Sequence, residues 1–470
     1  MLERKDPREE EREPHHPSPY TRRRFLRGSA MAVAGGVLFS CTGRSVVPKL
    51  DDPAPETDTA TPIKRVVYVM LENRSFNNLF GKFPGVEGTT VGVEYGKEKP
   101  LIRCPEWLPG DLPHDRAAHL TCVDGGKMDG FGNGEFGSVY AYSMFDEDQI
   151  PNYWTWAREY ALSDHFFSSM AGPSYPNHFY FIAGQSGGAL DNPENIETRE
   201  QGGERFKSWG CDALGDDVFV FTKDDQGNLT KHDTCFNYRT VGQQLSEVGV
   251  DWSYYSASPG QVGYFWNAYN GIGDVFHDPD MWTEHMRPVD RIVPDIEAGR
   301  LPAVTWITPR FELSDHPPYS TGHAHNWLSE IVNAVMRSPV WEHTAIFVTW
   351  DEWGGFYDPV LPPAVDDLGL GVRVPLLTIS PYTERGIIDT EVGEFSTPLR
   401  FISDNWGLPY LTPRIEKTHS FEHVFDFKQE PRKPVFGRAV APTFGAAFGF
   451  PEGYDGWRPG TDPNEGHFIS

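Results

Sequence analysis

The sequence predicts an α/β protein, a mostly parallel sheet sandwiched by helices and carrying long loop insertions. Three observations lead there. Several short runs are apolar and β-branched throughout instead of alternating, as in strands buried on both faces. Between them lie segments with helical spacing of apolar residues, and strands alternating with helices form a parallel sheet covered on both sides. An aromatic content of 14% with 47 glycines and 40 prolines points to a sizeable core dressed in ordered loops, not a helical bundle or a disordered chain.

The elements follow in chain order. Residues 1–20 are polar and charged, and Arg22 and Arg23 then precede a short apolar stretch from Ala30 to Phe39. That stretch is too short and too rich in Gly and Ala to span a bilayer. Residues 1–41 match a twin-arginine export signal, an address read by a receptor. Leu38-Phe39-Ser40-Cys41 is similar to a lipoprotein processing site, which would acylate Cys41 and tether the mature chain; simple cleavage nearby is the alternative. Residues 42–62 read as a flexible spacer and 63–470 as a single domain.

Within that domain the expected strands are 65–71 (RVVYVML), 303–307 (AVTWI), 344–350 (TAIFVTW) and 374–380 (VPLLTIS). The expected helices are 153–160, 241–248, 327–337 and 398–406. Gly-, Pro- and Asp-rich stretches at 80–145, 185–235 and 255–290 read as insertions or lids. The tail after Pro409 has no clear periodicity.

Charge and cysteines narrow the function. A formal net charge of -26 repels nucleic acid and anionic headgroups at long range, so no nucleic-acid partner is expected. A phosphate ester would be repelled as well unless a bound metal ion inverted the local field. Outside the cytoplasm disulfides persist. Besides Cys41 there are Cys104, Cys122, Cys211 and Cys235, with no C-x-x-C pair to suggest zinc. Cys104–Cys122 with Cys211–Cys235 closes the shortest loops among three possible connectivities.

A parallel sheet places its functional residues where strands end and loops converge. Glu72-Asn73 directly follows RVVYVML, and Asp351-Glu352 directly follows TAIFVTW. Carboxylates there are costly unless paired, and one hard divalent cation would satisfy Glu72, Asp351 and Glu352 together. Helix capping is the plainer alternative, but Gly354-Gly355 turn the chain instead of opening a helix. Ser174 follows Gly172-Pro173 at the start of a helical segment, where N–H groups can hold an anion and a metal would activate the hydroxyl. A simple capping role is the commoner fate of such a serine. His316 comes soon after a strand end. From the residues alone, His114, His119, His178, His277 and His323 have no positional support.

At these residues the chain resembles the bacterial phosphoesterase family that contains phospholipases C and an acid phosphatase, within the alkaline phosphatase superfamily. The matching pieces are VVYVMLENRSFNNLFG (66–81), GGKMDGF (125–131), GPSYPNH (172–178), DHPP (315–318), TWDEWGGFYD (349–358) and STPLRFISDNWGLPYL (396–411). The resemblance implies one metal ion surrounded by Glu72, Asn73, Ser174, Asp351 and Glu352, with Ser174 as a nucleophile that forms a phosphoserine. It implies His316 and His114 at the phosphoryl group, Asn177 as a donor to it, and a phosphate ester, phospholipid included, as substrate. Trp353 and Pro359 stand where relatives often carry histidine. Ser174 matches the acid phosphatase, whereas many phospholipases have threonine. Two rivals are a serine carboxylesterase using Ser186 in Gly184-Gln185-Ser186-Gly187-Gly188, and a non-catalytic envelope protein of the same fold.

Overall fold

The computed structural model describes residues 58–201, 204–224, 226–421 and 423–440. Its centre is an eight-stranded sheet. In chain order the strands are Arg65–Leu71 (β1), Ala161–Ser163 (β2), Trp252–Ser256 (β3), Met286–Pro288 (β4), Val304–Ile307 (β5), Thr344–Trp350 (β6), Leu376–Ile379 (β7) and Ile387–Asp389 (β8). Across the sheet they run β4-β3-β5-β1-β6-β7-β2-β8. Every pairing is parallel except the two made by β7, so β7 alone is reversed. The fold is therefore the expected α/β class.

The helices that matter below are Phe76–Phe80 (α1), Arg116–Val123 (α2), Pro151–Glu159 (α3), Ser174–Ala183 (α4), Val241–Glu247 (α5), Thr321–Arg337 (α6), Ser396–Trp406 (α7) and Pro413–Lys417 (α8). Strand alternation shows which face each covers. Tyr68 and Phe347 are register partners on β1 and β6. Tyr68 packs on Phe181 of α4 at 4.4 Å and Phe347 on Phe401 of α7 at 5.6 Å, so these helices share a face. Trp350, three residues along β6, points the other way and meets Tyr153 of α3 at 5.4 Å. Tyr153 in turn packs on His325 of α6 at 5.0 Å. Helices thus bury both sides of the sheet, which is why β1 and β6 are apolar throughout.

Three expectations are corrected and one unplaced segment is located. Residues 255–290 do not form a separate lid, because β3 and β4 enter the sheet there. Their Trp-Ser-Tyr-Tyr-Ser and Met-Arg-Pro sequences lack the aliphatic run that marks β1; β3 is buried throughout, whereas β4 at the sheet edge is largely exposed. The spacer ends early: the Ala60 backbone and the Thr61 hydroxyl already hydrogen-bond Asn405 of α7 at 2.9 and 2.7 Å. The tail, left unplaced by its lack of periodicity, is anchored to α6: Asn326 and Asn333 donate to the Val440 and Gly437 carbonyls at 2.8 and 3.0 Å. Finally, Cys211 and Cys235 are bridged, but Cys104 and Cys122 are free buried thiols. Cys104 lies beside Arg74, Ser143 and Asn78, and Cys122 beside Trp353 and Asn133, so each is packed in its own pocket.

The other long stretches carry small two-stranded sheets of their own. The twin-arginine segment, Cys41 and most of the spacer lie outside the described residues. Among the described residues no helix is long and apolar enough to cross a membrane.

Candidate functional site

The site grows out of the β1–β6 ladder. Leu71 pairs with Trp350 on the last rung. One rung further, the Asp351 N–H donates to the Leu71 carbonyl at 3.0 Å, and the Asn73 N–H donates to Asp351 Oδ1 at 2.9 Å. Neighbouring strands lie roughly 4.8 Å apart, so Glu72 and Asp351 must emerge side by side. Asn73 has a left-handed backbone (φ 61°), which turns the chain sharply after the strand. Gly354 (φ 60°) lies so close that a Cβ there would sit 2.3 Å from the Asn73 carbonyl oxygen. This is the Gly354-Gly355 turn read from the sequence, and only glycine fits it.

Glu72, Asn73, Asp351 and Glu352 are fully buried. Burial, with the neighbouring Asp351 and Glu352 carboxylates, pushes the Glu72 carboxyl well above the usual range. Burial raises Asp351 and Glu352 too, and His114 acts against that rise at both. Asn73 Oδ1, Asp351 Oδ2 and Glu352 Oε1 are buried without a hydrogen-bond partner. Such a group costs about 1–3 kcal/mol when left unsatisfied, more if charged. Three in one cluster make a poor structural device and a good oxygen-donor set for a hard divalent cation. The donor chemistry fits a metal ion.

Ser174 is the first residue of α4, and its Oγ donates to Glu72 Oε2 at 3.5 Å. Pro173 occupies the N-cap position and the Ser174 hydroxyl turns to Glu72, so the capping alternative does not apply. The expected anion hole at this helix end is small. Pro176 has no N–H, and the Tyr175 N–H donates to Asn192 Oδ1 at 3.2 Å. Positive charge for a phosphoryl group must therefore come from elsewhere.

Asn177 also differs from expectation. Its Nδ2 donates to the Met170, Gly172 and Pro173 carbonyls at 3.3, 3.1 and 3.0 Å, and its Oδ1 accepts from the Met170 N–H at 3.0 Å. The carboxamide is spent on bracing the turn that presents Ser174. His178, one helical turn after Ser174, places Nε2 2.9 Å from Glu72 Oε1, and burial holds its ring down to about 3. A neutral His178 donates that hydrogen bond and fixes the Glu72 carboxylate. The spacing of Ser174 and His178 on one helix face was present in the sequence and passed unread.

His114 and His316 do come together, with ring centroids 5.6 Å apart. His114 directly precedes Asp115, whose carboxylate caps α2 by accepting from the Ala118 N–H. Its Nδ1–H donates to the Leu112 carbonyl at 2.7 Å, and Nε2 faces Asn73 Nδ2 at 3.2 Å. Asp111 lies 3.6 Å from His114 and 3.9 Å from His316. Burial opposes charge on His114, yet Asp111 and Glu352 raise it to about 9. His316 is held well below its usual value by burial and by the nearby His114. Its Nδ1–H donates to the Pro317 carbonyl at 2.6 Å, leaving Nε2 as a free base. Beneath it, the buried Arg74 guanidinium donates twice to the Asp315 carbonyl, at 3.0 and 2.7 Å, and so fixes the loop. Asp111 and Arg74 carried no signal in the sequence.

The site is nearly closed. Ser174 is 2% exposed, and the least buried members are Asp111 at 8% and His114 and His316 at 6%, so it opens on the histidine side. Trp353 is buried edge-on against His119, 5.3 Å away, and burial pushes that histidine down to about 4. Pro359 is half-buried beside Asp358, whose carboxylate is bound to Arg373. Ser186 is excluded as an elbow nucleophile: Gly184 ends α4, the Ser186 hydroxyl donates to the Ala189 carbonyl at 3.2 Å, and no helix follows.

Several known proteins are similar to this chain over most of its length. The hemolytic phospholipase C of Pseudomonas aeruginosa is 24% identical over 459 residues, covering 83% of this chain; the match spans 59% of that relative's length. Phospholipase C B of Mycobacterium tuberculosis is 24% identical over 461 residues, covering 83% of this chain and 82% of that protein. Non-specific phospholipase C6 of Arabidopsis thaliana is 24% identical over 440 residues, covering 81% and 76%. A solved alkaline phosphatase superfamily protein from Vibrio parahaemolyticus aligns over 79% of this chain and 75% of its own, at 11% identity and TM-score 0.35. A family match extends over residues 63–409, a span that holds Glu72, Ser174, His316, Asp351 and Glu352 together, and the chain belongs to the phosphoesterase family.

Proposed function

We propose that this chain is an exported hydrolase of phosphate esters, with Ser174 as nucleophile beside one divalent cation held by Glu72, Asn73, Ser174, Asp351 and Glu352. One observation carries the reading: Asn73, Asp351 and Glu352, just past the ends of β1 and β6, each keep a buried oxygen without a partner, and Glu72 among them accepts from the Ser174 hydroxyl. When bound, the cation supplies Lewis-acid stabilisation of phosphoryl charge and lowers the serine pKa.

The chain's own residues supply the rest. Glu72, fixed by His178, accepts the hydrogen bond from Ser174 and holds its oxygen toward the site. Asn177 keeps the Gly172-Pro173 turn in place. Ser174 Oγ bonds to phosphorus as the ester oxygen leaves, and the proton lost by the serine ends on the departing alcohol. Water then attacks the phosphoserine, restoring the serine hydroxyl and releasing phosphate or a phosphomonoester. His316 Nε2, the free nitrogen at the mouth, accepts and returns protons there. Asn73 links the two halves, one end of its amide toward the cation and the other toward His114. His114, held cationic by Asp111 and Glu352, gives up that contact to donate from Nε2 to a phosphoryl oxygen. Aimed donors of this kind contribute about 3–4 kcal/mol each to transition-state stabilisation.

The relatives named as phospholipases C favour a phospholipid diester, whereas serine at position 174 favours a phosphomonoester. Export is supported by Arg22-Arg23 and by the Cys211–Cys235 bridge, a bond suited to an oxidising compartment. Purified protein and its Ser174→Ala variant, assayed on p-nitrophenyl phosphate and p-nitrophenylphosphorylcholine before and after EDTA, test the proposal. Activity on either substrate that falls with chelation and vanishes in the variant is expected. Either no turnover, which leaves a non-catalytic protein, or equal turnover in the variant, which removes Ser174 as nucleophile, overturns it.

A further inference from the structure

A second group of metal-ligating side chains stands apart from the catalytic site and has no part in it. Asp389 ends the edge strand β8, and His419 and His423 lie just beyond α8 on the C-terminal segment. One ligand atom from each of the three falls within 4.8 Å of the others. Asp389 is buried, His419 is 12% exposed and His423 37%. Four strand spacings separate β8 from β1, about 19 Å across the sheet.

The local structure gathers these groups with some care. His423 Nε2 is 2.7 Å from Asp389 Oδ1, and the other Asp389 oxygen accepts from the Ser163 hydroxyl at 2.7 Å. Glu391 adds a further carboxylate, 3.7 Å from His423 Nδ1 and 3.9 Å from His419 Nδ1. The two imidazoles lie 5.5 Å apart. Between them Phe421 adopts a left-handed backbone (φ 60°), rare for a bulky residue, and stacks on Phe347 at 5.2 Å. That turn brings both rings to one side. His419 Nε2 is buried with no hydrogen-bond partner, and it fits because position 393 is glycine: a Cβ there would stand 3.0 Å from it. A cleft of about 270 Å³, lined by Glu391, His419 and His423 among others, opens the cluster to solvent.

We propose that Asp389, His419 and His423 form a second metal site of the zinc class, with Glu391 outside the ligand set at the Nδ1 edges of the two rings. The donor sets separate the two centres. Carboxylate and amide oxygens at Glu72, Asn73, Asp351 and Glu352 suit a hard cation, whereas two imidazoles with a carboxylate suit Zn²⁺. Tetrahedral coordination at bond lengths of about 2.0–2.1 Å places ligand atoms about 3.3 Å apart. The His423–Asp389 hydrogen bond therefore opens by about half an ångström, a small motion for a partly exposed ring. The site joins the C-terminal segment to the outermost strand.

Co²⁺ serves as the spectroscopic probe. The full chain, stripped with chelator and carrying Asp351→Asn to disable the oxygen-rich site, is titrated with Co²⁺ with and without His423→Ala. One equivalent giving the visible bands of tetrahedral Co²⁺ is expected, with affinity falling on the order of 100-fold in the His423→Ala chain. Absence of those bands, or equal binding in both chains, overturns the proposal and leaves His423–Asp389 an ordinary ion pair. His423→Ala in the otherwise unaltered chain is expected to keep phosphate-ester turnover within about twofold of the parent, since it touches none of the catalytic residues. Should a variant fail to fold, modification of the unaltered protein by diethylpyrocarbonate, mapped by peptide mass, decides the matter. Zn²⁺ is expected to protect His423, and equal modification with and without Zn²⁺ overturns the site.

Discussion

Asp351 and Asp358 sit on one short stretch of chain and are both fully buried, yet the fold treats them in opposite ways. Asp358 is satisfied. Arg373 Nε lies 3.1 and 3.2 Å from its two oxygens, and the Asn77 and Val360 N–H groups donate to it at 2.9 and 3.0 Å. Arg373 spends its remaining donors on the Asp164 and Glu87 carbonyls at 2.7 and 2.8 Å. Asp351 has no cationic side chain bonded to it, stands against Glu72, and keeps one oxygen without a partner. A buried carboxylate with internal donors on every side is part of the scaffold. A buried carboxylate left short among its own kind belongs to a ligand site.

That contrast can be broken by experiment. The largest effect belongs to the proposed nucleophile: Ser174→Ala should lower turnover on the order of 10⁴-fold or more, with a thermal midpoint close to that of the parent. Turnover within tenfold of the parent would remove Ser174 from the chemistry. Next come the two aspartates' surroundings. Arg373→Met strands Asp358 and should cost about 3–5 kcal/mol in urea unfolding. Asp351→Asn relieves like-charge crowding, so in EDTA its stability should stay within about 1 kcal/mol of the parent, or rise, while activity collapses. Equal destabilisation by both changes would make the Glu72–Asp351 cluster structural after all.

The histidine pair comes third. His114→Ala and His316→Ala should each lower kcat/KM about 10²–10³-fold, the scale of one lost transition-state donor, without changing metal content measured by mass spectrometry. The smallest effect lies outside the site. His325 of α6 accepts the Asn152 N–H at 3.0 Å through Nε2, and burial holds its ring down to about 4. Its folded value is thus below its ordinary one near 6.5. The stability it contributes is complete above pH 6.5 and is lost as pH falls through about 4. The loss should total at most about 3 kcal/mol, and His325→Gln should flatten the slope of unfolding free energy against pH across that window. An unchanged slope would show that another group sets it.

Much of the catalytic centre was legible because one physical signal marks it twice. RVVYVML and TAIFVTW can only be strands buried on both faces, and acidic residues directly after them cannot be core. Strand register then makes Glu72 and Asp351 neighbours. The strands next to either edge of the sheet lack that signal. Ala161–Ser163 is too short to show a period, and Trp-Ser-Tyr-Tyr-Ser carries hydroxyls that read as loop although the fold buries them. Cysteine pairing by shortest loop failed at Cys104 and Cys122 because side-chain surroundings, not chain separation, decide which thiols meet. Asn177 reads as a donor to substrate, but the carbonyls of its own turn compete for the same amide.

Local sequence by itself determined the α/β class, the central strands, the first turn of α4 at Ser174 and the acidic pairs at the strand ends, since these follow from periodicity and turn chemistry within a few residues. Tertiary structure alone decided that His178 fixes Glu72, that Asp111 stands between His114 and His316, and that Asp389 meets His419 and His423. Those contacts join residues from separate loops and strands, and their pairing depends on which loops the covered sheet brings to a common rim.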